Sequence, residues 1–319
     1  MLRERPQVLI VVGDVNSTLA CTLVAAKIPA DFGWQRPLIA HVEAGLRSFD
    51  HEMPEEVNRI VADHLADLLF VTEESGVANL RKEGIPESRI HFVGNTMIDS
   101  LLSCASKADA SLVSERLGLR SSPEGHTQIE GTIRYALITI HRPSNVDTRE
   151  GLLNILEGVS ELSESCTIIF PAHPRTEKRI REFQLEQYFT WDGRENREAA
   201  PIGQLDRRIR LISPLGYIDF LALMKRAALV VTDSGSVQEE TTALQVPCVT
   251  VRNNTERPVT IEVGANILAG TNAEEIRKAV RRQCNGEVKG RIPDKWDGHC
   301  AQRILDVLCR ELQHSPSES

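Results

Sequence analysis

The run Pro37-Leu-Ile-Ala40, continuing as His41-Val-Glu-Ala-Gly-Leu-Arg47 and, past a polar loop, as Pro54-Glu-Glu-Val-Asn-Arg59, decides how this chain folds. A short apolar run, Pro37 to Ala40, reads as the buried part of a strand reaching Glu43, and it gives way to His41, Glu43, Gly45 and Arg47. Pro54 then opens a helix over Glu55 to Leu65, in the first-turn position where proline is tolerated. Glu43 and Glu55 therefore flank one loop at the carboxyl end of a strand, the edge at which open α/β sheets receive ligands. The plainer alternative is a strand-end salt bridge and a helix whose acids favour its own dipole.

The same unit recurs on both sides of this stretch. Pro6 to Val12 is a β-branched run without alternation, the pattern of a strand buried on both faces. It ends in Gly13-Asp14, and Asn16, Ser17 or Thr18 is placed to cap a helix over Leu19 to Lys27. Leu68 to Thr72 and Ile90 to Val93 read as further strands, and Ser75 to Glu83 as a helix stopped by Gly84. Strand alternating with helix implies a parallel sheet with right-handed crossovers.

The pattern continues in the second half, after a helix over Asp99 to Leu119 and a polar loop from Arg120 to His126. Strands are expected at Tyr135 to Ile140, Thr167 to Phe170, Ile209 to Ile212, Leu229 to Asp233 and Val246 to Val251. Helices are expected at Gly151 to Leu162, Tyr217 to Ala227, Ala273 to Cys284 and Ala301 to Leu312. Thr190 to Gln204 reads as an exposed loop. The sharpest motif is Thr232-Asp-Ser-Gly-Ser-Val-Gln-Glu-Glu-Thr241, where a strand turns directly into a helix. Backbone N–H groups at such a turn suit a diphosphate, and a carboxylate in the following turns suits ribose hydroxyls. A capping box of Ser236 with Glu239 uses other groups and is compatible with both.

The 319 residues suffice for two domains. With 41% hydrophobic and 26% charged residues the chain has globular composition, and its net charge of −8 gives nucleic acid no general electrostatic attraction. No apolar run approaches the ~20 residues of a membrane helix, and the first residues lack a signal-peptide core. Seven scattered cysteines without a Cys-x-x-Cys pair suit reduced thiols in the cytoplasm.

Gly13-Asp14, His41-Val-Glu-Ala-Gly-Leu-Arg47, Pro54-Glu-Glu-Val-Asn-Arg59, His141-Arg142-Pro143, Asp233-Ser-Gly-Ser-Val-Gln-Glu-Glu240 and Thr255-Glu-Arg-Pro258 together resemble the non-hydrolysing UDP-N-acetylglucosamine 2-epimerases. The match in order and spacing runs from residue 6 to about residue 311. The resemblance implies an α/β chain of two Rossmann-like domains with a central cleft, the glycosyltransferase-B-like arrangement. The domains would be 1–95, with the helix of 298–319 packing back on it, and a UDP-binding domain of 96–297. It implies interconversion of UDP-GlcNAc and UDP-ManNAc through elimination of UDP and a 2-acetamidoglucal, without metal or other cofactor, in a cytoplasmic homodimer serving cell-surface polysaccharide synthesis. Matched motif by motif, Asp14, Glu43 and Glu55 are the acid/base carboxylates, and His141 meets the diphosphate. Ser234, Gly235 and Ser236 form the diphosphate turn, Glu240 accepts from the ribose, Phe220 lies by the uracil and Arg257 is a further nucleotide contact. Arg142 and His173 match part of a second, regulatory substrate site.

Two departures stand out. The family's opening strand and its Arg/Lys-bearing glycine turn have no counterpart here, so the first domain is expected to be N-terminally incomplete, with a short sheet and uncovered apolar faces. The usual Ser-Gly-Gly turn is Ser234-Gly235-Ser236. The competing expectations are a nucleotide-sugar binding protein without turnover, a hydrolysing epimerase that releases ManNAc and UDP, and a glycosyltransferase of the same architecture.

Overall fold

Strand and helix alternate along the chain in the computed structural model, which describes residues 1–29, 34–119, 133–191 and 208–314, apart from the side chain of residue 314. Two units result. One comprises Met1–Leu102, Glu256–Val259 and the segment from Pro293 onward; the other comprises Ser103–Thr255 and Thr260–Ile292.

The first unit begins β1 (Val8–Val12), α1 (Asn16–Ala26), β2 (Leu38–Ala44), α2 (Pro54–Leu65), β3 (Leu68–Val71), α3 (Glu74–Lys82) and β4 (Ile90–Phe92). Its four strands are parallel in the order β1-β2-β3-β4. β3 is buried throughout, as its unbroken apolar run requires. β1 corrects the expectation of a strand covered on both faces: among the described residues it pairs only with β2, and Ile10 and Val12 are 50% and 51% exposed. Leu23 and Val24 of α1 are exposed as well, so this end of the sheet carries the uncovered apolar surface anticipated above. The capping expectation for α1 also changes. Asn16, Ser17 and Thr18 lie inside its first turn and Val15 holds the cap position without a side-chain bond. Thr18 Oγ1 instead donates to the Val12 carbonyl at 2.7 Å, tying the helix to the strand before it.

α4 (Thr96–Asp109) is followed by the separate α5 (Val113–Arg116), where one continuous helix was expected. Ser111 makes the break. Its hydroxyl accepts from Val113 N at 3.2 Å and donates to Asp219 at 2.5 Å, replacing helical bonds with local ones. The expected loop at Arg120 to His126 lies outside the described residues.

The second unit continues β5 (Tyr135–Thr139), α6 (Pro143–Val146), α7 (Arg149–Val159), β6 (Thr167–Pro171), α8 (Pro174–Glu182), β7 (Phe189–Trp191), β8 (Ile209–Ile212), α9 (Tyr217–Arg226), β9 (Leu229–Thr232), α10 (Gly235–Leu244), β10 (Cys248–Thr250), α11 (Val259–Glu262), β11 (Asn266–Leu268) and α12 (Ala273–Cys284). The seven parallel strands run β11-β10-β9-β5-β6-β8-β7. α7 and α12 seal one face, with Leu152, Ile155 and Ile276 packed against Ile138, Phe170 and Val231. α8 was not anticipated, because Pro-Arg-Thr-Glu-Lys-Arg-Ile-Arg-Glu is mostly charged and only Thr176 and Ile180 are buried. Thr190 and Trp191 belong to β7, not to a loop; the rest of that expected loop, from residue 192, lies outside the described residues. The chain leaves β5 in one direction through β6 and returns on its other side at β9. The junction of β5 and β9 is therefore the topological switch point of this sheet, where a doubly wound fold opens a crevice.

α13 (Cys300–His314) closes the first unit. Cys300, Ile304, Val307 and Leu308 pack on Ala40, Val42, Leu68 and Phe70. The Asp99 carboxylate accepts from Cys300 N and Ala301 N at 3.1 and 2.7 Å, which fixes the start of the helix. No described helix is long and apolar enough to cross a membrane.

Candidate functional site

Glu43 occupies a β-bulge. The β2–β3 register passes from Val42 opposite Phe70 to Ala44 opposite Val71, leaving Glu43 as the extra residue. Its φ is +69°, a left-handed conformation that costs an L-residue with a side chain roughly 1–2 kcal/mol. A bulge turns its side chain away from the strand's alternation. Here Oε2 of Glu43 comes within 3.5 Å of the point where a Cβ on Gly13 would stand, so the carboxyl lies over the turn after β1. Burial pushes its proton affinity up. The charge of Asp14 adds to the rise, while Arg257, His41 and Arg59 oppose it without cancelling it. A carboxyl whose proton affinity is raised in this way is better suited to proton transfer than an ordinary surface carboxylate. Two residues on, Gly45 has φ +81° and a Cβ there would meet the Gly76 carbonyl at 2.5 Å, so only glycine fits.

α2 furnishes the rest of this cluster. Arg59 is buried and bridges Asp14 and Glu56. Asn58 Nδ2 donates to the Asp14 carbonyl at 2.7 Å. Asp14 is thus held at its carboxylate by Arg59 and at its backbone by Asn58, one helix serving both. Glu56, which the sequence does not distinguish from Glu55, is a structural anchor. Despite burial its carboxyl is held low, because it accepts from Ser48 N at 3.0 Å, Phe49 N at 2.9 Å and Arg59. Glu55, one position earlier in the first turn, is only partly buried. Arg257, expected as a nucleotide contact, belongs to this first unit, where its charge acts on Glu43 and its guanidinium meets Glu256 at 2.6 Å.

In the second unit the switch point carries His141 after β5 and Asp233 after β9. Asp233 is fully buried and accepts from His141 N, Arg142 N and Asn145 Nδ2 at 2.9–3.1 Å. His141 Nδ1 lies 3.1 Å from Asp233 Oδ1. That bond raises the imidazole's proton affinity against its partial burial, and the ring stands exposed at the sheet's carboxyl edge. Ser234 is the cap residue of α10, with its hydroxyl 3.1 Å from that of Ser236. The expected Ser236–Glu239 capping box does not form, since Ser236 is already inside the helix. The first N–H groups of a helix lack intrahelical partners and carry its positive dipole end, so the turn of Ser234, Gly235 and Ser236 offers donors of the kind an anion needs.

Glu240 is buried one turn further along α10, and burial raises its proton affinity. Its Oε1 accepts from the hydroxyl of Tyr217 at 2.9 Å. Phe220 lies on α9, three residues after Tyr217 and partly buried. Arg142 and His173 follow neighbouring strands. Arg142 Nε donates to the Asp233 carbonyl at 3.1 Å, and its side chain lines a cavity of about 370 Å³ with Ser144, Asn154, Arg252 and Asn254. His173 caps α8 by accepting from Arg175 N. Sequence reasoning gave no organising role to the buried Asp63, Arg59 and Asp233 or to Tyr217, although Arg59 and Asp233 stand within the quoted motifs. Asp233, directly at a strand end before Ser-Gly-Ser, carried a local signal of its place, whereas Asp63 and Tyr217 carried none.

The profile of a family described as UDP-N-acetylglucosamine 2-epimerase matches residues 1–309. A UDP-N-acetylglucosamine 2-epimerase of Methanocaldococcus jannaschii is 42% identical over 314 residues, covering 97% of this chain and 76% of the relative. A UDP-2,3-diacetamido-2,3-dideoxy-D-glucuronate 2-epimerase of Pseudomonas aeruginosa is 33% identical, covering 97% and 77%. Among solved structures, the M. jannaschii enzyme in complex with UDP-GlcNAc and UDP superposes with a TM-score of 0.72 at 41% identity, over 96% of this chain and 77% of that one. A Neisseria meningitidis UDP-GlcNAc 2-epimerase bound to UDP-GlcNAc gives 0.73 at 25% identity, over 97% and 78%. Two Rossmann-like domains of glycosyltransferase-B type are the fold common to this chain and those neighbours.

Proposed function

We propose, from the premise that this chain belongs to the UDP-N-acetylglucosamine 2-epimerase family, that it is an isomerase inverting C2 of UDP-N-acetylglucosamine to give UDP-N-acetylmannosamine. The C2 proton has no adjacent carbonyl to acidify it. Its removal is therefore coupled to departure of UDP: the C2–H pair forms the C1–C2 double bond as the C1–O pair leaves on the diphosphate. A proton then returns to C2 on the opposite face while a diphosphate oxygen attacks C1. No water enters the product.

In this reading the second unit is the UDP-binding domain. Ser234, Gly235 and Ser236 hold the diphosphate, the His141 cation meets its developing charge, Glu240 takes the ribose hydroxyls and Phe220 lies by the uracil. The first unit supplies Asp14, Glu43 and Glu55 as the carboxylates that exchange the C2 proton, with Arg257 as a further cation for the nucleotide. Arg142 and His173 are the remainder of a regulatory substrate site, and the working form is a cytoplasmic homodimer. The observation that supports this most is Glu43, a carboxyl with raised proton affinity set in a strained bulge. Strain of that kind persists where the surrounding structure enforces it.

The test is incubation with UDP-GlcNAc in D2O, followed by NMR at C2. Deuterium at C2 of UDP-ManNAc is expected. Free ManNAc with UDP would replace this reading by the hydrolysing one, and binding without exchange would replace it by a nucleotide-sugar binding protein.

A further inference from the structure

One buried carboxylate braces the Glu43 bulge from both sides. Asp63, in the third turn of α2, is wholly buried. Its Oδ1 lies 2.6 Å from His41 Nδ1, two residues before Glu43. Its Oδ2 accepts from Gly45 N at 3.1 Å, two residues after, and from Arg47 Nη2 at 2.8 Å. The other ring nitrogen of His41 is 2.9 Å from the Gly13 carbonyl, the residue before Asp14. A carbonyl and a carboxylate both accept, so both nitrogens of His41 must carry protons and the ring is an imidazolium. Arg47 is completed by Glu83 through two bonds of 2.8 Å. His41 and Arg47 thus balance Asp63 and Glu83, which is how buried charges are tolerated.

We infer that Asp63 is a positioning residue for proton transfer, holding Glu43 directly through the two flanks of its bulge and Asp14 indirectly through His41 and Gly13. This role rests on the epimerase reading above. The strained backbone at Glu43 has no local reason to persist. Both flanks are pinned to a rigid helix, and that helix also carries Arg59 against Asp14 and Glu55 at its first turn. One element therefore sets three candidate carboxylates in mutual register. Losing the brace would let the bulge relax toward ordinary β geometry and turn Glu43 away.

The experiment compares Asp63→Asn with wild type in the D2O exchange assay, with UDP binding measured by calorimetry. An amide at position 63 turns a donor toward groups that are themselves donors. The expected result is a fall in kcat and C2 exchange of about a hundredfold, the effect of a misplacement of roughly 1 Å. UDP affinity stays within about twofold, because the diphosphate turn, His141, Glu240 and Phe220 lie in the other unit and Asp63 bonds none of the nucleotide contacts, Arg257 included. In 15N NMR, the His41 signal should change from a doubly protonated ring in wild type to a neutral one in the variant. Wild-type exchange together with an undiminished rate in Asp63→Asn would overturn the positioning role alone. Absence of exchange in wild type would overturn the epimerase reading and this role with it. Should Asp63→Asn lose its near-ultraviolet circular dichroism, His41→Gln carries the test through kcat, C2 exchange and UDP affinity. It keeps a donor toward Gly13 and removes the charge; unchanged exchange there would overturn the inference.

Discussion

The phenol of Tyr217 donates to Oε1 of Glu240 across 2.9 Å, joining the first turn of α9 to the middle of α10. Burial and the Glu240 charge both hold the phenol protonated, so the donor persists at neutral pH. It orients the carboxylate proposed to receive the ribose. Tyr217→Phe should weaken UDP binding about threefold to tenfold, the worth of one hydrogen bond, with kcat little changed. The diagnostic measurement is discrimination between UDP and 2′-deoxy-UDP, which should shrink in the variant. Equal discrimination in both proteins would count against the role of Glu240.

Glu43→Gln should abolish C2 exchange, by at least about a hundredfold, and at the same time make the protein more stable at neutral pH. A carboxyl whose proton affinity is raised by folding destabilises the fold once it ionises. That penalty is absent below pH about 4.3, grows as pH rises and is complete above the folded pKa. Thermal melts of the two proteins should therefore coincide in acid and diverge toward neutrality, with the variant higher. Coincidence at every pH would mean that burial does not tax the Glu43 charge.

His141 is expected to make UDP binding pH-dependent. The Asp233 bond raises its pKa, so the imidazolium is fully present below the ordinary histidine value of about 6.5. It is lost, with its contribution to stability and to diphosphate affinity, as pH rises through the folded value. Asp233→Asn should bring that loss to lower pH. Calorimetric UDP titrations across pH 6 to 9, alongside the His141 resonance, check both statements.

Arg59→Leu should destabilise the first unit by about 3–5 kcal/mol, because the buried Glu56 carboxylate loses its cation. Urea denaturation measures this. Arg59→Leu combined with Glu56→Gln should recover part of the loss, whereas equal midpoints for the single and double variants would show that Glu56 is not the group left stranded.

The alternation of apolar runs with helical patterns was legible because strand and helix periods are local properties. So were Pro54 at the first position of α2, Gly84 ending α3, and Ser-Gly-Ser turning from β9 into α10. Local chemistry also misled. Asn16 to Thr18 and the Ser236–Glu239 pair look like caps, yet both groups lie within their helices, because the tertiary position of the preceding strand sets where each helix starts. α8 stayed hidden because its charged residues hide a period carried by two buried side chains.

By itself, then, the sequence determined the fold class, the order of elements and the residue types able to handle a diphosphate and a proton. Only the tertiary structure separated Glu55 from the adjacent Glu56, put Arg257 in the same unit as Glu43, and made Asp63 the brace of a strained bulge. Hydrophobic periodicity is written over a few neighbouring positions. The partner of a buried charge is selected by where distant segments meet, and His41 finds Asp63 only once β2 has packed beneath α2.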